Sequence, residues 1–467
     1  MRAPGLRRWW ARRSERQRAF ALNVAIGTVI SVLAGYLETN AAVGKARDAL
    51  LTWQIAQFAS TDVARDILWL DVDETTYLNW HAPALTPRDK LCRLIDFAVR
   101  GKARVVVVDV DLSEPTAPGD VTPAQPCGKA HAGGDAELKA YLHEYATACN
   151  GRDAQSGCPP IVLVRELRTS YRSTYADGAP AHARRPQYFD DAAFGASGPV
   201  FWSSPNFDVD DDAMIRRWRL WEPLCDPSDV LPSTELLAGA LFAGTSPERV
   251  RQSLQAFRPA CVPVGGASNA VIAAAEPPES ELDVGHPLRL SSRNADRRFF
   301  YRVGWESARG RATMAAFVPA TLVTDVDAAH AFDPAVAAGR IVVIGGSYLD
   351  NPDLHRTPLG LMPGTLILIN AIQALVQNDS LRETPAALRI GIEGALILVL
   401  SALSVYLPAA AALIVSILFV IASALTFGFV FLNMGYWIDP VLPLLGIFMH
   451  NLFEFSVHRW RHRSKHA

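Results

Sequence analysis

The sequence predicts an α/β extracytoplasmic domain with a mostly parallel sheet, carried by four transmembrane α-helices. Three observations predict it. Two hydrophobic, β-branched runs, one ending in Asp71 and Asp73 and one at 105–108 running into Asp109 and Asp111, are joined by an amphipathic helical segment. That is the pattern of a βαβ unit in a parallel sheet. Long apolar stretches lie near the two ends of the chain, each beside a basic cluster, and all six cysteines fall between the first and second of these stretches.

At 467 residues the chain is long enough for two or three units, and its net charge of −2 carries no bulk nucleic-acid signature. The charge is segregated instead. Residues 1–18 hold seven arginines against Glu15 alone, and the end of the chain holds Arg459, Arg461, Arg463 and Lys465 with no acid. Basic clusters abutting apolar stretches read as membrane topology signals. Residues 1–18 are thus a basic cytoplasmic leader and 19–37 the first transmembrane helix. A cleaved signal peptide competes with this reading, but the apolar run exceeds the usual ~7–15 residues of such a segment. Three further helices fall within 387–457, at about 388–407, 410–432 and 440–457, and 458–467 is a basic tail. Four crossings put both termini on one side. Both are basic, so both stay in the cytoplasm and 38–386 lies outside. Arg382 and Arg389 fall on the outer side and count against this; the seven arginines outweigh them.

Polar residues within the spans need partners. Arg389 and Glu393 lie one turn apart. His450, Asn451 and Glu454 cluster in the last span, where a His450–Glu454 contact or snorkelling competes with a face for another membrane helix.

Within 38–386, 46–58 reads as a helical stalk. In 87–99, Leu91, Leu94, Ile95 and Ala98 share one face before Gly101. Residues 136–148 read as a helix, 161–167 as a short strand, 169–186 as polar and irregular, and 200–202 and 214–220 as strands. A helix over 232–242 is capped by Ser233 or Thr234. Residues 261–285 form a low-complexity loop, 340–344 a buried strand, and 363–377 a helix opened by proline.

An even cysteine count confined to the exported part points to disulfides in an oxidising compartment. Six cysteines allow fifteen pairings. Loop closure favours Cys149 with Cys158, the βαβ geometry favours Cys92 with Cys127, and Cys225 and Cys261 remain. Zinc spacing is lacking, so no metal is expected.

Four blocks carry a resemblance: RDILWLDVDETT (65–76), RVVVVDVDLSEP (104–115), NFDVDDDAMIRR (206–217) and GRIVVIGGSYLDNPDLHRTPLGLMPGTLILINAIQALV (339–376). In order, they resemble the CHASE group of bacterial sensory domains (cyclases/histidine kinases associated sensory extracellular), second type. The layout of one span before the domain and three after it also fits. The resemblance implies a multi-pass bacterial inner-membrane protein, a periplasmic domain that senses an extracytoplasmic ligand, and homodimerisation. Relatives usually continue into a kinase or cyclase. This chain ends soon after Val457, so the output is expected from a separate cytoplasmic effector. Asp211-Asp212-Ala213 departs from the family's Asp-Gly.

The ligand-binding candidates are Asp73, Asp109, Asp111, Asp350 and His355, at strand ends where open α/β sheets place ligands. For Asp73, Asp109 and Asp111 the competing role is capping. Asp71-x-Asp73-x-Thr75 also spells the nucleophile motif of Mg-dependent haloacid-dehalogenase-like phosphatases, but a convincing later acidic pair behind a strand is missing. Ser347, Asp350 and His355 could spell a triad, yet no G-x-S-x-G elbow supports it. Gly345-Gly346 is not a dinucleotide fingerprint. The reading is a non-enzyme without cofactor, in the lipid bilayer; the rivals are a membrane scaffold that senses nothing and the phosphatase.

Overall fold

A computed structural model describes residues 14–37, 41–58, 65–116, 127, 134–152, 157–191, 193–195, 198–265, 279–291, 298–305, 317–324, 332–350, 353–378, 380–383, 385–433 and 436–437. The chain divides into two compact units, 59–380 and 1–58 together with 381–467.

The unit 59–380 is organised by a six-stranded sheet. Its strands in chain order are β1 (Ile67–Val72), β2 (Val105–Val108), β3 (Ile161–Val164), β4 (Val200–Ser203), β5 (Phe317–Pro319) and β6 (Ile341–Gly346). They lie side by side as β5-β1-β6-β2-β3-β4, and every neighbouring pair is parallel. The expected βαβ unit is therefore a crossover that skips a place: β1 and β2 flank β6, which enters last. The sequence of β6 explains this. Ile341 to Ile344 are all fully buried, which requires a central position covered on both faces.

The longer helices described in this unit are α1 (Glu74–Asn79), α2 (Arg88–Arg100), α3 (Gly134–Ala148), α4 (Thr234–Ala243), α5 (Pro247–Leu254) and α6 (Gly364–Val376). The stripe Leu91, Leu94, Ile95 and Ala98 buries α2, with Leu138 and Leu142 of α3, against Leu68, Leu70, Val106, Val108 and Ile344. Each of the leucine, isoleucine and valine side chains contributes about 1.5–3 kcal/mol by leaving water, and Ala98 less. The opposite face is covered by α6, which also packs on α4. Ser233 caps α4 through Leu236 N, and Gly244 ends it with φ +90°.

Residues 169–186, read as irregular, belong to a hairpin of Leu167–Tyr175 with Pro180–Arg184. The signal was there in short form: Ala181 and Ala183 alternate inward between polar neighbours. Residues 261–263 add a third strand to this hairpin, where a loop was expected. The three disulfides join Cys92 to Cys127, Cys149 to Cys158 and Cys225 to Cys261, the pairs favoured above.

The strands Asp208–Val209 and Ile215–Arg217 are joined by a turn in which Ala213 has φ +61°. A Cβ in the left-handed region costs roughly 1–2 kcal/mol, so Ala213→Gly is expected to stabilise the domain by about 1 kcal/mol. The check is a thermal midpoint raised by roughly 2 °C.

In the other unit, helix Glu15–Leu37 packs on Ala386–Tyr406, which packs in turn on Ala409–Asn433. Two polar clasps fix the first pair: Asn23 Nδ2 donates to Ser404 Oγ at 2.7 Å, and Ser31 Oγ donates to Glu393 Oε2 at 2.7 Å. Their order shows that the two helices run antiparallel. Arg382 and Glu383 pair with Tyr436 and Trp437 as a short parallel ladder. Among the described residues one helix, Ala387–Tyr406, is long and apolar enough to cross a membrane. The segment 440–457 with His450, Asn451 and Glu454, the first thirteen residues and the basic tail lie outside the described residues.

Candidate functional site at the carboxyl edge of the sheet

The three central strands end together. Asp71 of β1 stands opposite Gly345 of β6. Val108 of β2 stands opposite Ile344, so Asp109 follows beside Gly345 on the other side. Strand alternation turns Asp71 and Asp109 to the face that α6 covers. Gly345 makes the approach of α6 possible, because a Cβ there would lie 2.3 Å from Thr365 Oγ1.

Each carboxyl in this row has a hydroxyl donor. Ser347 Oγ donates to Asp71 Oδ2 at 2.5 Å, and Thr365 Oγ1 donates to Asp109 Oδ2 at 2.7 Å. A third carboxylate joins from the loop after β6. Gly364 N donates to the backbone oxygen of Asp353 at 2.9 Å, and a Cβ on Gly364 would sit 1.9 Å from Asp353 Oδ2. The Asp353 carboxylate therefore rests on the first residue of α6. His355 Nε2 lies 2.6 Å from Asp353 Oδ1, and this bond raises the imidazole pKa. Burial pushes Asp109 up to about 7, the Asp353 charge adds to the rise, and the Thr365 bond opposes it. Beside the cluster, Tyr77 and Tyr348 stack with centroids 4.2 Å apart.

Of the candidates, Asp109 and His355 meet here, with Asp353 between them. Asp73 is the N-cap of α1, accepting Thr76 N at 2.8 Å. Asp111 accepts Ser113 N at 2.8 Å and Ser113 Oγ at 2.7 Å within its own loop. Asp350 is exposed, and its charge helps to raise the Tyr348 phenol after burial and Tyr77. The capping geometry is thus observed for Asp73 and Asp111. Asp353 and Thr365 were not singled out from the sequence; the available signal was their place beside His355 and Gly364 in the longest family block.

The arrangement does not suit phosphoryl transfer. A nucleophile must reach phosphorus, whereas Asp71 is 0 % exposed and bonded to Ser347, and Asp73 is engaged as a helix cap. Ser347 turns to Asp71 and His355 to Asp353, so the triad is not assembled. Among the described residues no group of three or more His, Cys, Asp or Glu is placed to hold a metal ion.

The carboxyl edge of the parallel sheet thus gathers carboxylates, an imidazole and a helix N-terminus, at the edge where open α/β sheets place their ligands. The particular family follows from comparison: residues 24–406 match the CHASE2 domain, and the chain belongs to that family of extracellular sensory domains. No curated protein and no solved structure matches the chain.

Proposed function

We propose that the chain is a membrane-bound sensor module that detects an extracytoplasmic signal and relays it through its transmembrane helices to a separate cytoplasmic effector. In this reading four helices span the bacterial inner membrane, 38–386 is periplasmic, both termini are cytoplasmic, and two copies pair. The carrying observation is the reach of the family match, which runs from within helix Glu15–Leu37 to the end of Ala386–Tyr406. The sensory unit is thereby bracketed by two helices that clasp one another through Asn23–Ser404 and Ser31–Glu393. Polar bonds between apolar helices fix a register, so a displacement of one helix is passed to the other. Three disulfides in the bracketed unit support an oxidising compartment. The signal is placed at the carboxyl edge of the sheet, with Asp109 and His355 as its first contacts. A ligand need only bind two arrangements of that edge with different affinity.

The test is topological. In intact spheroplasts without reductant, an impermeant maleimide is expected to label Ala179→Cys, an exposed position in the unit 59–380, while Ser464→Cys reacts only after permeabilisation. Labelling of Ser464→Cys from outside, or of Ala179→Cys only from the cytosol, overturns the reading. Co-purification of an effector irrespective of external conditions would favour a scaffold instead.

A further inference from the structure

We propose that the groove between helices Ala386–Tyr406 and Ala409–Asn433 is the seat of the segment 440–457, and that this seating turns His450, Asn451 and Glu454 away from the two helices. The inference rests on the reading of 440–457 as the last span and names the surface that receives it.

The groove has a volume of about 510 Å³. One wall is the stripe Leu388, Gly391, Ala395 and Val399 of the first helix, and the other includes Phe419 and Ala422 of the second. Leu388 and Val399 are 43 % and 40 % exposed, and a Cβ on Gly391 would meet nothing within 4 Å, so the described chain leaves this space open. The far side of helix Ala386–Tyr406 is already engaged. Glu393 and Ser404 accept from Ser31 and Asn23, and Ile397 lies against Gly27. At about 100° per residue, Glu393, Ile397 and Ser404 lie opposite Gly391, Ala395 and Val399. Helix Glu15–Leu37 therefore covers one side and cannot also fill the groove.

The short ladder in the same unit brings the next stretch of chain to the groove. Arg382 and Glu383 pair in parallel with Tyr436 and Trp437. At Trp437 the chain thus runs beside the entry to helix Ala386–Tyr406, in the direction of that helix. Asp439 and Pro440 follow, the residue types that cap and open a helix. The 18 residues of 440–457 rise about 27 Å as a helix, enough to pass the whole groove wall from Leu388 to Val399. Leu445 is as far beyond Trp437 as Gly391 is beyond Glu383, and Met449 likewise matches Ala395. Leu445, Met449 and Leu452 recur at helical spacing, and bulky side chains fit a wall opened by Gly391 and Ala395. Ile447, His450, Asn451 and Glu454 recur at the same spacing on the opposite side. Seating the apolar stripe therefore leaves the polar one, which needs a partner within the bilayer, on the outer side.

The test is disulfide crosslinking of the full chain in native membranes. The six native cysteines are paired with one another, so introduced pairs can be read beside them. On oxidation with copper phenanthroline, Gly391→Cys with Leu445→Cys and Ala395→Cys with Met449→Cys are expected to link within one chain. The yield, read by peptide mass spectrometry of the monomer band, should be several-fold that of Ala395→Cys with Ile447→Cys. Adding Gly391→Leu, which fills the open space, should lower the yield of the Ala395→Cys and Met449→Cys pair several-fold. No link in either pair, an equal yield with Ile447→Cys, or a yield that ignores Gly391→Leu overturns the proposal. Links found only between chains assign the groove to a second copy and overturn it as well. If Gly391→Cys fails to accumulate, the Ala395→Cys pairs still decide. Crosslinking reads packing and maleimide labelling reads sidedness, so failure here is distinct from failure of the sensor reading.

Discussion

Arg216→Met is expected to destabilise the 59–380 unit by about 3–5 kcal/mol, because removing one member of a buried ion group leaves the others uncompensated. The Arg216 side chain is 1 % exposed, and its guanidinium forks onto Asp212, with Nη1 to Oδ1 at 2.8 Å and Nη2 to Oδ2 at 2.6 Å. Nη1 also donates to Asp210 Oδ2 at 2.8 Å, and Arg217 Nε approaches Asp210 Oδ1 at 2.9 Å. Asp212 is partly exposed and regains water when Arg216 is lost. Asp210 is nearly buried and does not, so most of the penalty falls there. Arg216→Lys keeps the charge but loses the fork and is expected to recover only part of the loss. The double change Arg216→Met with Asp210→Leu should be milder than the single one, which separates uncompensated charge from lost packing. The hydrogen bonds from Arg216 hold Asp212 below the ordinary carboxylate range. A depressed carboxylate stabilises above its unfolded pKa and loses that contribution as pH falls through the folded value. In Arg216→Met this acid-side loss should shrink. Urea unfolding followed by circular dichroism at several pH values measures both effects.

The contrast between this hairpin and the sheet shows what sequence carries and what it withholds. Continuous apolar runs such as 105–108 declare central parallel strands, since only burial on both faces removes the need for alternation. The stripe of α2 and the caps Ser233 and Asp73 are likewise local and legible. Strand neighbours are not. Periodicity names β6 as a strand but says nothing of its insertion between β1 and β2, and the site depends on that insertion. Thr365 reaches Asp109 across 256 residues of chain, and Ser347 reaches Asp71 across 276. Asp109 could be marked as an interesting carboxylate from its strand end, but Asp353 and Thr365 become its partners only in three dimensions. Asp111 shows the opposite case: its partner Ser113 is two residues away, and capping was one of the two roles its place in the sequence left open.

Asn370→Leu is expected to be as damaging as the loss of Arg216, for a reason of hydrogen bonding rather than charge. Asn370 is 0 % exposed in the middle of α6. Its Oδ1 accepts the backbone N–H groups of Arg302 at 2.8 Å and Val303 at 2.9 Å. Its Nδ2 donates to Val303 O at 3.0 Å and to Leu366 O at 2.8 Å. The side-chain amide thus pairs with 302–303 as a neighbouring strand would, tying that segment to the helix. Leucine fills a similar volume but satisfies none of these groups, and each buried polar group left unpaired costs about 1–3 kcal/mol. A total of roughly 3–6 kcal/mol would remove much of the stability of a typical domain. Asn370→Asp separates the two halves of the amide. A carboxyl oxygen can still accept from Arg302 and Val303, but a carboxylate set against Val303 O and Leu366 O is repelled unless it holds a proton. Asn370→Asp is therefore expected to fold best at acid pH and to weaken as pH rises through its elevated pKa, whereas Asn370→Leu should be poor at every pH. Urea midpoints at about pH 5 and about pH 8 distinguish the two.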